Sequence, residues 1–219
     1  MKFFADTANL DAIREVNDLG ILDGVTTNPS LMSKEGIKGT AAIYEHYQHI
    51  AKICGTGPVS AEVISTDFKG MMDEAYKLAK LADNIVVKIP MIKDGVKAIK
   101  ALHLEGIKTN CTLIFSSAQA ILAARAGASF VSPFMGRLDD IAQEGIMLIQ
   151  QLVTIFSNYG YDCEILAASI RSPLHIVQCA EIGADVVTCP PNVIMQMLNH
   201  PLTDIGLAKF LDDHRKLND

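Results

Sequence analysis

The chain has 219 residues and a formal net charge of −6, and 49% of its residues are hydrophobic. The negative charge argues against broad nucleic-acid binding but leaves room for a small basic pocket that binds an anionic metabolite. The composition shows no internal break, which favours a single domain spanning residues 1–219.

The chain carries no pattern typical of a secreted or membrane protein. Its N-terminal apolar stretch ends at Asp6, too early for a secretory signal, and no apolar run is long enough to span a bilayer. The five cysteines are scattered, and none forms a Cys-x-x-Cys pair. We therefore expect a cytoplasmic protein with reduced thiols and no membrane partner.

Short apolar runs alternate with longer amphipathic ones from end to end. The runs typical of strands are Phe3–Ala5, Gly24–Thr26, Val59–Val63, Ile85–Ile89, Thr109–Ile114, Phe130–Pro133, Glu164–Ala168 and Asp185–Thr188. The clearest helical patterns are Leu10–Leu19, Ala41–Ile53, Phe68–Leu81, Val96–His103, Ser117–Ala126 and Gln143–Phe156. Eight strand–helix units, without a glycine-rich nucleotide-binding turn after the first strand, predict a closed α/β (β/α)8 TIM barrel rather than an open sheet.

One amphipathic segment, residues 203–217, remains after the eighth unit. Thr203 is a candidate N-cap, and Ile205, Ala208 and Leu211 share one face of the predicted helix. The helix could cover the bottom of its own barrel or dock on a neighbouring subunit. We expect the second arrangement.

Nearly every predicted strand ends in a polar or ionisable residue. In chain order these residues are Asp6, Thr27, Asn28, Glu62, Lys88, Thr112, Ser132, Arg137, Ser169 and Arg171. Each one alone is consistent with a solvated loop position or a helix cap. Barrel enzymes place their chemistry at the C-terminal ends of the strands, so their convergence on one mouth indicates an active site.

Lys88 lies inside an apolar run, where a charged side chain is costly without a purpose or a route to water. A lysine that extends from the strand end to solvent is one interpretation. The other is a nucleophile, because burial favours the neutral amine, which attacks a ketone to form a Schiff base.

Two carboxylates, Asp6 and Glu62, are expected near that amine, and such a pair suits proton transfer. Asp6 could instead cap the first helix. Thr112, on the next strand after Lys88, could help Glu62 to hold a water molecule.

Arg137, Ser169 and Arg171 are a candidate phosphate site, because guanidinium groups bind phosphate through paired donors. Arg137 could instead pair with Asp139 or Asp140 on the surface. The chain has no His-Glu-x-x-His pattern, and nothing in it indicates a cofactor. His46 and His49, three residues apart on a predicted helix, could bind a metal, but a solvated helix face is the preferred interpretation, and no metal site is expected.

Five segments closely resemble the transaldolase family, in its small subfamily, which also contains fructose-6-phosphate aldolase. They are DTAN at 6–9, GVTTNPS at 24–30, VVKIP at 86–90, SPFMGR at 132–137 and AASIR at 167–171. The resemblance runs in order from residue 1 to about residue 217, and it implies a cofactor-free class I aldolase on a (β/α)8 barrel.

The resemblance also implies a role for each matched residue. Lys88 matches the Schiff-base lysine, Asp6 matches the acid–base aspartate, and Glu62 and Thr112 match the pair that positions the catalytic water. The predicted substrate-binding residues are Asn28 and Ser132 for the dihydroxyacetone hydroxyls, Arg137, Ser169 and Arg171 for the phosphate, and Thr27 and Phe134 beside them.

The implied reaction is that of the pentose phosphate pathway. It moves a dihydroxyacetone unit from fructose 6-phosphate or sedoheptulose 7-phosphate to erythrose 4-phosphate or glyceraldehyde 3-phosphate. Small members of the family form pentamers that often pair into decamers, so a homo-oligomer is expected.

Two positions bear on whether the enzyme transfers or releases the three-carbon unit. In the aldolase branch the position of Glu62 is usually Gln and that of Phe134 is usually Tyr, so this chain resembles the transaldolases at both. The alternatives are an aldolase that releases free dihydroxyacetone, a transaldolase of a related 6-substituted ketose, and a barrel that only binds sugar phosphates.

Overall fold

Strands and helices alternate along residues 1–218, which are the residues that the computed structural model describes. The strands are β1 (Lys2–Asp6), β2 (Gly24–Thr26), β3 (Val59–Glu62), β4 (Ile85–Pro90), β5 (Thr109–Ile114), β6 (Phe130–Pro133), β7 (Glu164–Ala167) and β8 (Val186–Cys189). The helices are α1 (Leu10–Asp18), α2 (Pro29–Lys34), α3 (Thr40–Cys54), α4 (Phe68–Ala79), α5 (Lys93–Leu104), α6 (Ser117–Ala126), α7 (Met135–Asp139), α8 (Gly145–Tyr159), α9 (Pro173–Ile182), α10 (Pro191–Gln196) and α11 (Pro201–Asn218).

The eight strands are parallel and form a closed barrel in chain order, β1 to β8. Closure is made by β1 and β8, which pair from Lys2 opposite Val186 to Ala5 opposite Cys189. The predicted (β/α)8 barrel is confirmed, and the strand boundaries differ from the predicted ones by no more than one residue at either end.

The two faces of each strand have different neighbours, because successive side chains point to opposite faces. One set of strand residues packs inside the barrel: Phe4, Val86, Phe130, Leu166, Ala168 and Val186. Their sequence neighbours, such as Val87 and Val131, pack against the surrounding helices. Residues two positions further along the inner face are Asp6, Lys88, Ser132 and Thr188. The inner face thus changes from an apolar floor to a polar layer in the direction of the strand ends.

Three short helices that were not predicted follow strand ends at the same mouth: α2 after β2, α7 after β6 and α10 after β8. Helix α2 begins after Asn28, whose side chain accepts a hydrogen bond from the backbone of Leu31, and Pro29 occupies its first position. These helices are too short for a period of 3.6 residues to stand out in the sequence.

Helix α11 begins at Pro201, so Thr203 lies in its first turn and is not the N-cap predicted from the sequence. From Pro201 to Leu217 every residue except Gly206 is exposed. Its exposed apolar side chains include Leu202, Ile205, Leu207, Phe210, Leu211 and Leu217. Within residues 1–218, no helix combines the length and the apolar character needed to cross a membrane.

We propose that α11 docks on a second copy of the chain, because its apolar side chains are not covered by the rest of residues 1–218. Sedimentation should then show a species well above the 23.7 kDa monomer. The double change Leu207→Asp and Phe210→Asp should shift it towards the monomer, since each carboxylate would be buried without a partner. Lys209→Asp, which adds an aspartate without removing apolar surface, is the matched control. A wild-type monomer at micromolar concentration would refute this docking.

Candidate active site

The strand ends surround a cavity of about 490 Å³ at the C-terminal mouth of the barrel. The predicted site residues in its wall are Asp6, Asn28, Lys88, Ser132, Phe134, Arg137, Ser169 and Arg171. Residues of the wall that were not predicted include Thr26, Lys34, Thr188 and Asn192. The structure therefore brings eight of the eleven predicted site residues to one cavity, and the other three, Thr27, Glu62 and Thr112, lie elsewhere around it.

Lys88 of β4 is 5% exposed and points into the bottom of this cavity. Its Nζ atom donates a hydrogen bond of 2.9 Å to the backbone carbonyl of Thr27. The same atom lies 3.1 Å from Oε2 of Glu62, which is in register with Lys88 on the neighbouring strand β3. The amine is therefore buried, with one carboxylate within proton-transfer distance.

The ion pair with Glu62 places a counterion beside the buried amine of Lys88. For the amine to attack a carbonyl carbon it must first lose a proton, and Glu62 is the carboxylate in contact with it. Burial of the amine was expected from the sequence, and the structure adds the counterion.

Asp6 ends β1 and is held by a threonine of the neighbouring strand β2. Its Oδ1 atom accepts a hydrogen bond of 2.7 Å from the hydroxyl of Thr26 on β2, and that hydroxyl also contacts Thr188 on β8. Asp6 does not cap α1, because Asn9 does so by accepting from the backbone of Ala12. The carboxylate of Asp6 is thus oriented within the cavity wall.

Thr112 of β5 is buried, and β4 separates it from Glu62 of β3. No direct hydrogen bond joins the two side chains in the part of the chain that the structure describes. Their predicted cooperation therefore requires a bridging water.

Thr27 contributes its backbone rather than its hydroxyl to the site. Its carbonyl oxygen accepts from Lys88, but its hydroxyl donates to the carbonyl of Ser60 at 3.1 Å and lies outside the cavity wall. Asn28, the next residue, turns into the cavity. Its Oδ1 atom is used in capping α2, which leaves its amide nitrogen to face a ligand.

A buried hydrogen-bond network beside Lys88 was not predicted from the sequence. The hydroxyl of Ser132 donates to Oδ1 of Asn110 at 2.7 Å, and the amide nitrogen of Asn110 donates to the hydroxyl of Ser60 at 3.1 Å. Asn110 is in register with Lys88. Spacing in the sequence could have identified two members of this network. Ser60 lies two residues before Glu62, and Asn110 lies two residues before Thr112, so each shares a strand face with a predicted site residue.

The three residues predicted to bind phosphate line one side of the cavity mouth. The guanidinium of Arg137 lies over the ring of Phe134, 4.7 Å from its centroid. Arg171 pairs with Asp140 at 2.7 Å, so the predicted alternative pairing of Asp140 with Arg137 does not occur. Both guanidinium groups keep further N–H donors for an anion.

A close backbone approach brings these residues together. Ser169 has a φ of 61°, a left-handed conformation that is rare outside glycine. A Cβ atom on Gly136 would lie 2.0 Å from the carbonyl oxygen of Ser169. Glycine at 136 therefore allows α7, with Arg137, to pack against the loop that carries Ser169 and Arg171.

His46, Cys111 and Cys189 do not form a second reactive centre. His46 shares a hydrogen bond of 2.6 Å with the carbonyl of Ala8, and no group of side chains in residues 1–218 has the arrangement of a metal site. Burial raises the pKa of the Cys111 and Cys189 thiols to about 12, so neither is a thiolate at neutral pH.

The amino-acid sequence of this chain is similar to those of known proteins. A family model described as Transaldolase/Fructose-6-phosphate aldolase matches residues 3–219. A protein of Cytophaga hutchinsonii called a probable transaldolase is 63% identical over 218 residues, and one of Phocaeicola vulgatus with the same name is 61% identical over 218 residues. In both cases the match covers 100% of each chain.

Two solved structures share the fold alone. A thiamine phosphate pyrophosphorylase from Pyrococcus furiosus has a TM-score of 0.59 at 13% identity, covering 86% of this chain and 85% of its own. A dihydrodipicolinate synthase from Rhodopseudomonas palustris has a TM-score of 0.59 at 14% identity, covering 85% of this chain and 69% of its own. The match of the family model from residue 3 to the end, together with the full-length relatives, means that the chain belongs to the transaldolase/fructose-6-phosphate aldolase family.

Proposed function

We propose that the protein is a transaldolase that moves a dihydroxyacetone unit between sugar phosphates through a Schiff base on Lys88. The observation that carries the proposal is the buried amine of Lys88, 3.1 Å from Glu62, at the bottom of a cavity whose mouth holds two arginines. The cavity has a nucleophile, Lys88, at its bottom and two guanidinium groups that can bind a phosphate at its mouth.

Lys88 gives a proton to Glu62, and the free amine attacks the ketose carbonyl carbon to form a carbinolamine, as the proton on nitrogen moves to the former carbonyl oxygen. Glu62 then returns its proton to the carbinolamine hydroxyl, which leaves as water, and a protonated imine remains. Asp6 then accepts the proton of the C4 hydroxyl, the bond between C3 and C4 breaks, and its electron pair moves towards the imine nitrogen. An aldose phosphate leaves, and a three-carbon enamine remains on Lys88.

The second half of the reaction reverses these events with another aldehyde. The enamine carbon attacks the aldehyde carbon, and Asp6 returns its proton to the new hydroxyl. Water then hydrolyses the imine and frees Lys88. Glu62 and Thr112 would hold that water on either side of β4, close to the carbon–nitrogen bond.

Substrate binding is divided between the two ends of the cavity. The amide nitrogen of Asn28 and the hydroxyl of Ser132 would contact the hydroxyls of the dihydroxyacetone unit. Arg137, Ser169 and Arg171 would bind the phosphate through charge-assisted hydrogen bonds. The aldose phosphate can then exchange while the three-carbon unit stays bound.

The fate of the enamine decides between transfer and release. Release of free dihydroxyacetone needs a proton at the enamine carbon. The Phe134 ring packs edge-to-face on Phe115, with centroids 5.6 Å apart, under the Arg137 guanidinium. This wall has no proton donor at Phe134, which favours survival of the enamine until an aldehyde arrives.

The covalent step can be tested by reduction. Borohydride treatment with fructose 6-phosphate should add a reduced three-carbon unit to the Lys88 peptide, as measured by peptide mass. Lys88→Ala should abolish trapping and turnover, because the other lysine among the described residues of the cavity wall, Lys34, is exposed on α2. Lys100→Ala, an exposed lysine on α5, should change neither. A barrel that only binds sugar phosphates would give no adduct, and an adduct at another lysine would overturn the assignment.

The phosphate site can be tested through KM. Arg171→Ala should lose about 1.5–3 kcal/mol of substrate binding, the value of a hydrogen bond to a charged group, felt mainly as a higher KM for fructose 6-phosphate. Arg125→Ala, which removes an exposed arginine from the last turn of α6, is the control. An unchanged KM in Arg171→Ala would remove Arg171 from the site.

The alternative substrate class can be tested in the same assay. Comparing the turnover of a 6-sulfonated ketose with that of fructose 6-phosphate shows which 6-substituent the enzyme prefers.

The role of Phe134 can be tested by adding one hydroxyl. The wild-type enzyme should release little dihydroxyacetone from fructose 6-phosphate alone and should form sedoheptulose 7-phosphate once erythrose 4-phosphate is added. Phe134→Tyr should raise the acceptor-free rate, since a phenol can deliver the missing proton. Phe115→Tyr, which adds a hydroxyl to the neighbouring ring, is the matched control. Release as fast as transfer in the wild type would make the protein an aldolase instead.

A further inference from the structure

We propose that Tyr47 is a positioning residue that holds the end of β3, and with it Glu62, against Lys88. The inference rests on the proposed function, because it assigns a supporting group to the proposed Lys88–Glu62 pair. Tyr47 belongs to α3, outside the barrel, and nothing in its sequence setting marks it as part of the site.

Tyr47 contacts both residues that hold the Lys88 amine. Its hydroxyl oxygen accepts a hydrogen bond of 3.3 Å from the backbone N–H of Glu62 and lies 3.4 Å from the hydroxyl of Thr27. On the other side of the strands, Lys88 contacts the Glu62 carboxylate and the Thr27 carbonyl. Tyr47 is 3% exposed, so water does not readily replace its hydroxyl in these contacts.

The hydrogen bonds form a chain across the ends of two strands. The Thr27 hydroxyl donates to the carbonyl of Ser60 at 3.1 Å and also faces the Tyr47 oxygen at 3.4 Å. The Tyr47 oxygen therefore accepts from Thr27 and from the backbone N–H of Glu62. Loss of the Tyr47 hydroxyl leaves the Glu62 N–H group without its acceptor.

This chain acts where the regular pairing of β2 with β3 has ended. The last register pair between these strands is Thr26 with Ser60, two residues before Glu62. Beyond that pair, β2 no longer holds the backbone of Glu62. Tyr47 supplies the missing acceptor for its N–H group.

A second cavity also borders Glu62. A space of about 500 Å³ lies outside the barrel, and both Glu62 and Tyr47 form part of its wall, together with Glu74 and Lys77 of α4. Glu62 thus lies between this space and Lys88, and an anchored backbone keeps its carboxylate beside the amine.

Tyr47 acts through Glu62 and does not take part in the chemistry itself. Its side chain is not part of the wall of the catalytic cavity. Burial is the main cause that raises the pKa of Tyr47 above its ordinary value, so the phenol stays neutral at working pH. A neutral phenol that does not touch substrate is neither the base nor the nucleophile.

The test compares Tyr47→Phe with Tyr44→Phe, which removes a hydroxyl from the same helix without a bond to the site. Turnover should be normalised to the fraction of chains that borohydride can trap, so that partial misfolding does not affect the comparison. Tyr47→Phe should lower kcat roughly tenfold, as expected when a buried N–H group loses its acceptor. KM for fructose 6-phosphate should stay within about twofold, because the phosphate contacts are untouched, and Tyr44→Phe should match the wild type.

A double-mutant cycle with Glu62→Gln distinguishes positioning from a general structural role. If Tyr47 acts through the Glu62 carboxylate, most of the effect of Tyr47→Phe on kcat should disappear in the Glu62→Gln background. An unchanged kcat in Tyr47→Phe, or an equal loss in both backgrounds, would overturn the inference. Failure to trap the wild-type protein at Lys88 would instead overturn the proposed function, so the two failures are distinguishable.

Discussion

The ion pair between Lys88 and Glu62 is the interaction on which the rest of the site depends. Burying a charge in a barrel interior has a desolvation cost, which the Glu62 carboxylate and the Thr27 carbonyl offset for Lys88. Removing one partner of a buried ion pair destabilises a protein by roughly 3–5 kcal/mol. The same carboxylate is the proposed acceptor when the amine must become a nucleophile, so stability and reactivity depend on one contact.

The geometry of parallel strands explains why Lys88 lies in a polar layer above an apolar floor. Inner-facing positions repeat every two residues, so Val86 and Lys88 face the same interior at different heights. The apolar layer closes the barrel from below and leaves the mouth as the open end of the cavity. The Glu62 and Lys88 side chains are side by side because β3 and β4 pair in register at that point.

The sequence was sufficient to predict the barrel, its strand boundaries and eight residues of the cavity wall, because short apolar runs and polar strand ends are local patterns. It was not sufficient for contacts between elements that are distant in the chain. The Thr27 hydroxyl was expected in the site but bonds to Ser60 instead, and the Asn110 network depends on neighbouring strands. Tyr47 is part of an ordinary amphipathic helix, and only packing against β3 places its hydroxyl at Glu62.

The two ends of the cavity differ in burial, and the proposed transfer reaction gives a reason for the difference. In that proposal the deep end keeps a three-carbon unit in one orientation through two half-reactions, and its groups are joined by hydrogen bonds from neighbouring strands. The mouth would release one aldose phosphate and accept another. Its arginines are exposed, with Arg171 paired to Asp140 and Arg137 lying over the ring of Phe134. Solvent screening would weaken each phosphate contact there, which would favour exchange over tight retention.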